Sequence, residues 1–146
     1  MPHFKKLSHS RYYCKYHIVW CPKYRFKEMR GDIRLYVRDV LRRLCEWKKL
    51  EIVAGNVCKD HIHLLLEIPP YISVSNTIGY LKGRSAVKIF GKFFGLRKKY
   101  WGMHYWSKGY CVSTVGLSEE EIVEYVREQQ EVDKKIEQLN MFENPL

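Results

Sequence analysis

Branched and leucine side chains crowd His61-Ile62-His63-Leu64-Leu65-Leu66-Glu67-Ile68 and stop at Pro69-Pro70, which predicts a buried strand of about eight residues. Side chains alternate along a strand, so Ile62, Leu64, Leu66 and Ile68 share the core face. His61, His63, Leu65 and Glu67 share the other. Residues 51–58 (Glu-Ile-Val-Ala-Gly-Asn-Val-Cys) read as a strand just before it, and the tight Lys59-Asp60 turn makes the two a hairpin. The β-branched and aromatic run 12–21 is a further strand, stopped by Pro22. Between them Gly31-Asp32 opens a helix to about residue 50. Ile33, Val37, Val40/Leu41, Leu44 and Trp47 recur at helical spacing there, with Arg34, Arg38, Arg42 and Arg43 off the stripe.

Beyond the double proline, Ser73 or Ser75 caps a second helix running to about residue 93, with Ile78, Leu81, Ala86, Ile89 and Phe90 for its buried side. Lys82-Gly83-Arg84-Ser85 is expected to interrupt it. A glycine-rich, basic connection over 94–102 leads to strand material at 103–106 and 110–115, around Ser107-Lys108-Gly109. Ser118 and Glu121 form a capping box for a last helix to about residue 140. Strand, helix, strand, strand, helix, strand and a final helix predict an α+β fold. It is a ferredoxin-like βαββαβ sandwich, an antiparallel sheet with two helices on one face, plus a C-terminal helix. The expected organisation is one domain over 1–146: a loose basic arm (1–11), the core (12–115) and the C-terminal helix (118–140). The sheet face opposite the helices, with His61 and His63, is left for another element or a partner.

Composition narrows the class of partner. The chain has a net charge of +10, and residues 69–118 hold no Asp or Glu but eight Lys and Arg. Residues 119–146 reverse the sign, with nine acids against Arg127, Lys134 and Lys135. A basic block of that length points to a polyanion more than to a solvated face kept for solubility. Five scattered cysteines without a Cys-x-x-Cys fit neither a disulfide framework nor a zinc knuckle. No apolar run approaches a membrane span and the N-terminus lacks a signal-peptide core, so the expected location is cytoplasmic, without a membrane partner.

Several residues carry candidate chemistry. His61 and His63 point the same way from a rigid strand and are available as neutral imidazoles near neutral pH, so they suit a shared cation; such a pair also occurs as plain solvent-facing strand residues. Lys23-Tyr24-Arg25-Phe26-Lys27 is a basic, aromatic loop suited to phosphates and unstacked bases. Lys82, Arg84, Lys88 and Lys92 form a candidate phosphate-facing ridge on the second helix, giving affinity without base readout. Tyr80, Tyr100, Trp101, Tyr105 and Trp106 are candidates for base stacking or for the core. Tyr125 and Gln129, four apart, lie on or beside the stripe of the last helix, where a tyrosine is usually a packed aromatic. Asp60 makes the hairpin turn, and Glu67 is a candidate outer partner of the histidines.

Val19-Trp20-Cys21-Pro22-Lys23-Tyr24-Arg25, Asp60-His61-Ile62-His63-Leu64-Leu65-Leu66, Pro69-Pro70, Leu81-Lys82-Gly83, Ser113-Thr114-Val115-Gly116 and Tyr125-Val126-Arg127-Glu128-Gln129 occur in one order. Together they resemble the single-tyrosine HUH transposases, the TnpA-type, IS200-like enzymes of insertion sequences that move as single-stranded DNA. The resemblance spans about residues 12 to 130. It implies a homodimer that recognises hairpin ends in single-stranded DNA. Tyr125 is then the nucleophile, and His61, His63 and Gln129 bind a divalent cation, Mg²⁺ or Mn²⁺. No nucleotide cofactor is expected, since the chain has no phosphate-binding Gly-x-x-x-x-Gly-Lys-[Ser/Thr] loop and a phosphotyrosine conserves the energy of the broken bond. The alternatives are a domesticated relative that processes repeated genomic hairpins, and a non-catalytic single-stranded nucleic-acid-binding module. The latter calls for aromatics where this sheet face carries histidines.

Overall fold

The computed structural model describes residues 4–7, 10–100 and 104–114. The chain divides into two compact units, Cys14–Val115 and a second made of Met1–Tyr13 with Gly116–Leu146. Of the second unit the described part is a short antiparallel hairpin, β1 (Lys5–Leu7) with β2 (Ser10–Tyr12), in the register Lys5↔Tyr12. This corrects the expectation of a loose arm over 1–11. Aromatics at both ends supply what the basic composition hides: the rings of Phe4 and Tyr13 lie 5.8 Å apart. The predicted C-terminal helix, with Tyr125 and Gln129, lies outside the described residues.

The larger unit runs β3 (Lys15–Trp20), α1 (Gly31–Trp47), β4 (Glu51–Cys58), β5 (His61–Glu67), α2 (Val74–Lys92) and β6 (Cys111–Thr114). Its four strands form one sheet in the order β4-β5-β3-β6, antiparallel throughout. That is the ferredoxin-like arrangement expected from the element order. Ile62, Leu64 and Leu66 of β5 and Ile18 and Trp20 of β3 pack against Val37, Val40, Leu41 and Leu44 of α1 and Ile78, Leu81, Ile89 and Phe90 of α2. Both helices therefore cover one face of the sheet.

Local chemistry explains most boundaries. The Ser73 side chain accepts from Asn76 N at 2.9 Å, so Ser73, not Ser75, is the N-cap of α2. Gly31 enters α1 at φ +55°, a left-handed conformation that favours glycine. Three expectations shift. The first strand of the sheet begins at Lys15, not at residue 12, because Tyr12 ends β2. α2 runs unbroken through Lys82-Gly83-Arg84-Ser85: Gly83 and Arg84 are exposed and the Ser85 hydroxyl bonds back to Lys82 O at 3.1 Å. At 103–106 the described part makes only an isolated bridge, Trp106 to Pro22, and Phe94–Lys98 forms a 3₁₀ turn.

The segment after α2 is held by polar bonds as well as by packing. Tyr100 and Tyr105 are fully buried and stacked with ring centres 4.7 Å apart, and Trp106 is nearly buried, so these three aromatics belong to the core. Trp106 Nε1 donates to the Ser85 hydroxyl at 2.9 Å, inside the protein. Removing that hydroxyl leaves a buried indole N–H without its acceptor, so Ser85→Ala is expected to destabilise the fold by about 1–3 kcal/mol. The loss of the Ser73 cap in Ser73→Ala is expected to cost about 1 kcal/mol. Urea unfolding of the two variants checks both figures, and a Ser85→Ala protein as stable as wild type would remove the indole–hydroxyl bond as a contributor.

Candidate metal and nucleic-acid site

β5 sits inside the sheet between β3 and β4, and its core face is filled by Ile62, Leu64 and Leu66, at 0–4% exposure. His61 and His63 must then stand on the opposite face, where both are half-buried. Their ring centres are 6.4 Å apart. Across the sheet His63 pairs with Asn56 of β4 and with Val19 of β3, and His61 pairs with Cys58. His17, paired with Leu65, occupies the diagonal position, and its ring centre lies 4.1 Å from that of His63. The face therefore carries three neighbouring imidazoles. Sequence reading missed His17. Its signal was its parity in β3, where Ile18 and Trp20 face the core, but its nearness to His63 depends on strand register.

Asp60 does more than turn the hairpin. Its Oδ1 is 2.9 Å from His61 Nδ1, and its Oδ2 accepts from Arg25 Nη2 at 3.2 Å. The hydrogen bond with His61, and after it the Arg25 charge, hold the Asp60 carboxyl below the usual range against an opposing desolvation. Burial, then the charges of His17 and His61, lowers the His63 pKa, which keeps that ring neutral. Glu67 is buried, and its Oε2 accepts from Cys14 N at 2.5 Å, tying the end of β5 to the entry of β3.

The pair fits a divalent cation. Metal–N distances of about 2.0–2.1 Å put two imidazoles on one ion with ring centres roughly 4.5–5.5 Å apart, so side-chain rotation from the 6.4 Å separation is needed to bring both onto it. An imidazole ligates metal in its neutral form, which the environment of His63 favours. Among the described residues no group of three His, Cys, Asp or Glu side chains is placed to hold an ion. The expected third ligand, Gln129, lies outside the described residues, as does Tyr125.

The candidate DNA-binding residues separate into different environments. Arg84, Lys88 and Lys92 are exposed along α2 at four-residue spacing. Lys82 points elsewhere: its Nζ donates to Ser107 O at 2.8 Å and Gly109 O at 2.7 Å, and burial lowers its pKa. It anchors the loop before β6. Lys23 and the exposed Arg25 lie in a 3₁₀ turn after β3, where Lys23 Nζ sits 5.4 Å from the Tyr24 ring centre. Beside Lys82 a cavity of about 490 Å³ is lined by Phe90, Tyr105 and Trp106, with Arg97, His104 and Lys108. Tyr80 is half-buried, its hydroxyl donating to Leu44 O at 3.4 Å.

The profile of the family described as "Transposase IS200 like" matches residues 10–129, and the chain belongs to that family. It is 47% identical over 137 residues to the transposase for insertion sequence element IS200 of Salmonella typhimurium, covering 94% of this chain and 90% of that one. It is 36% identical over 104 residues to the ISDra2 transposase TnpA of Deinococcus radiodurans, covering 71% of this chain and 74% of that one. Among solved structures, one assigned as a transposase of Deinococcus radiodurans has a TM-score of 0.69 and 32% identity, covering 86% of this chain and 98% of that one. A REP-associated tyrosine transposase bound to a REP hairpin shares the fold, with a TM-score of 0.54 at 15% identity, over 86% of this chain and 74% of that one. Among the described residues no helix is long and apolar enough to cross a membrane.

The lowered His63 pKa has a testable sign. In the metal-free protein its ring is expected to titrate below the ordinary imidazole value of about 6.5, and His17→Gln is expected to move it upward. Because the unfolded chain then binds this proton more readily, the stability linked to His63 is full above the unfolded pKa. It is lost as pH falls through the folded one. An NMR titration of the imidazole carbons, assigned through His63→Gln, checks the shift, and a His63 that titrates alike with and without His17 would show the two rings to be uncoupled.

Proposed function

We propose that this transposase binds hairpin ends in single-stranded DNA and cleaves and rejoins strands through a 5′-phosphotyrosine on Tyr125. The observation that carries the proposal is the pair of half-exposed imidazoles on a sheet face that the covering helices leave open. In this reading His61, His63 and Gln129 hold Mg²⁺ or Mn²⁺, which when bound polarises a phosphoryl oxygen and stabilises charge developing at phosphorus. Tyr125 Oη attacks phosphorus as the bond to the leaving 3′ oxygen breaks, and that oxygen leaves as a 3′-OH once protonated. A later 3′-OH reverses the step and joins strands, with no external energy source.

Two of the described tyrosines are unsuited to be the nucleophile. Burial pushes the hydroxyls of Tyr100 and Tyr105 well above the ordinary tyrosine value, and the Tyr100 hydroxyl donates to Glu28 Oε2 at 2.8 Å. Such phenols neither reach a phosphodiester nor ionise readily. The exposed Arg84, Lys88 and Lys92, with Lys23 and Arg25 in the 3₁₀ turn, are suited to phosphates, whereas Lys82 supports them by holding its loop. The hairpin in the structure of the REP-associated tyrosine transposase belongs to that protein, and it supports testing hairpins here. We place the active form as a homodimer, in which the tyrosine helix of either protomer completes the site.

Labelled single-stranded hairpin oligonucleotides from the DNA flanking the gene, run on denaturing gels with Mg²⁺ or Mn²⁺, test the proposal. Wild type is expected to give a covalent protein–DNA band that Tyr125→Phe lacks and that His61→Ala or His63→Ala reduces by at least about 100-fold, in line with the loss of several kcal/mol of charge stabilisation. Cleavage retained by Tyr125→Phe would end the assignment of the nucleophile. Tight binding without a covalent band would favour a binding module.

A further inference from the structure

The carboxylate of Asp60 stands between two groups it is shaped to join. One oxygen is 2.9 Å from His61 Nδ1 and the other 3.2 Å from Arg25 Nη2. An ionised carboxylate only accepts hydrogen bonds, so the ring atom facing it must carry the proton. In the neutral ring the lone pair is then on Nε2, the atom directed away from Asp60. A turn-forming Asp needs only hydrogen bonds to nearby backbone, not contacts with an imidazole and a guanidinium.

The support behind Asp60 is built rather than incidental. Arg25 and Tyr24 sit at φ 53° and 61°, two successive left-handed residues without a glycine between them. That backbone persists because it is tied on several sides. Lys23 N donates to Tyr105 O at 2.8 Å, Arg25 N to Pro22 O at 2.9 Å, and Pro22 bridges to Trp106. Tyr105 and Trp106 belong to the core, so the turn that aims Arg25 is fixed to the interior. From the other side Met29 N, of a fully buried residue, donates to Lys59 O at 3.2 Å and holds the backbone of the hairpin turn.

We propose that Asp60 is a positioning residue for the metal site: it holds His61 in the Nδ1–H tautomer with Nε2 presented as the ligand atom, and Arg25 holds Asp60 in that pose. The inference rests on the reading of His61 and His63 as ligands. Carboxylates placed behind ligating imidazoles fix ring orientation and raise ligand basicity, and their loss typically weakens metal binding 10–100-fold. Arg25 then acts at one remove from the metal, through Asp60, besides any contact it makes with phosphate.

Two measurements on the full chain test this. In metal-free protein at about pH 8, where imidazoles are neutral, ¹⁵N spectra of His61 are expected to show the Nδ1–H tautomer in wild type and a mixture in Asp60→Ala. In calorimetric titration with Mn²⁺ alone, Asp60→Ala is expected to bind about 10–100-fold more weakly than wild type, within the usual range for such partners. Asp60→Asn, which keeps an acceptor for Nδ1–H, should recover part of that loss. Arg25→Ala, which leaves the hairpin turn intact, should show a smaller loss in the same direction and keeps the test valid if Asp60→Ala folds poorly. Wild-type Mn²⁺ affinity in both Asp60→Ala and Arg25→Ala, or an Nε2–H tautomer in wild type, overturns the proposal. His61→Ala separates the two levels. If it abolishes Mn²⁺ binding while the Asp60 and Arg25 variants do not change it, only the positioning role fails; if it too binds like wild type, the ligand reading fails with it.

Discussion

The two-residue period of β5 is the constraint on which the rest depends. Ile62, Leu64 and Leu66 enter the core together, each contributing about 1.5–3 kcal/mol through burial. A slip of one residue would bring both imidazoles into the apolar layer and push the aliphatic side chains out. Pairing on both sides prevents it, with Ile18↔Leu64 on β3 and Val57↔Ile62 on β4. The buried Glu67, bonded to Cys14 N, pins the far end of the strand. The placement of His61 and His63 is thus a by-product of core packing, and it inherits the rigidity of a strand paired on both edges.

Charge is divided in a similar way between jobs that look alike in sequence. Lys82 and Arg84 are two residues apart in a basic tract, yet helical geometry sends them to different surroundings. The Lys82 ammonium is held by two loop carbonyls, while Arg84 continues with Lys88 and Lys92 along an exposed flank. On the proposed reading, cations of the second kind release counterions when a polyanion binds, and the exposed flank then contributes to the salt dependence of affinity. Glu28 shows the same division among the acids. It accepts from the buried Tyr100 hydroxyl and pairs with Lys99, so its charge serves the interior side of the loop after α2.

What was legible in the sequence follows the range of the interactions. Strand parity, a serine cap at residue 73 or 75 and the Lys59-Asp60 turn are set by neighbours within a few residues, and so the order of elements and the placing of the histidines opposite the core face could be read directly. His17 beside His63 depends on the β3–β5 register, which couples residues far apart in the chain. The pairing of Trp106 with Ser85, and the grip of Arg25 on Asp60, likewise need the folded chain to bring separate segments together. Composition misled at residues 1–11: basic side chains suggested a loose arm, whereas strand pairing between residues 5–7 and 10–12 depends on backbone and on aromatics at the ends. Asp60 misled for a different reason. A residue that explains a turn hides any second use of its carboxylate.

On the proposed reading, the make-up of the site also bears on when it holds its ion. Mg²⁺ and Mn²⁺ prefer oxygen ligands, and Mg²⁺ in particular gives up water reluctantly. Two neutral imidazoles on one strand therefore make a weak half-site, and the lowered His63 pKa improves it only by keeping a lone pair free of protons. A third ligand from the last helix and oxygens from the DNA are needed to complete the coordination. Affinity for the ion and affinity for correctly placed DNA then rise together, because each supplies part of what the other lacks. Such coupling favours strand cleavage only where tyrosine helix, metal and phosphodiester are all assembled. In that arrangement rigidity on the β5 side matters, since His61 and His63 are held by a strand paired on both edges.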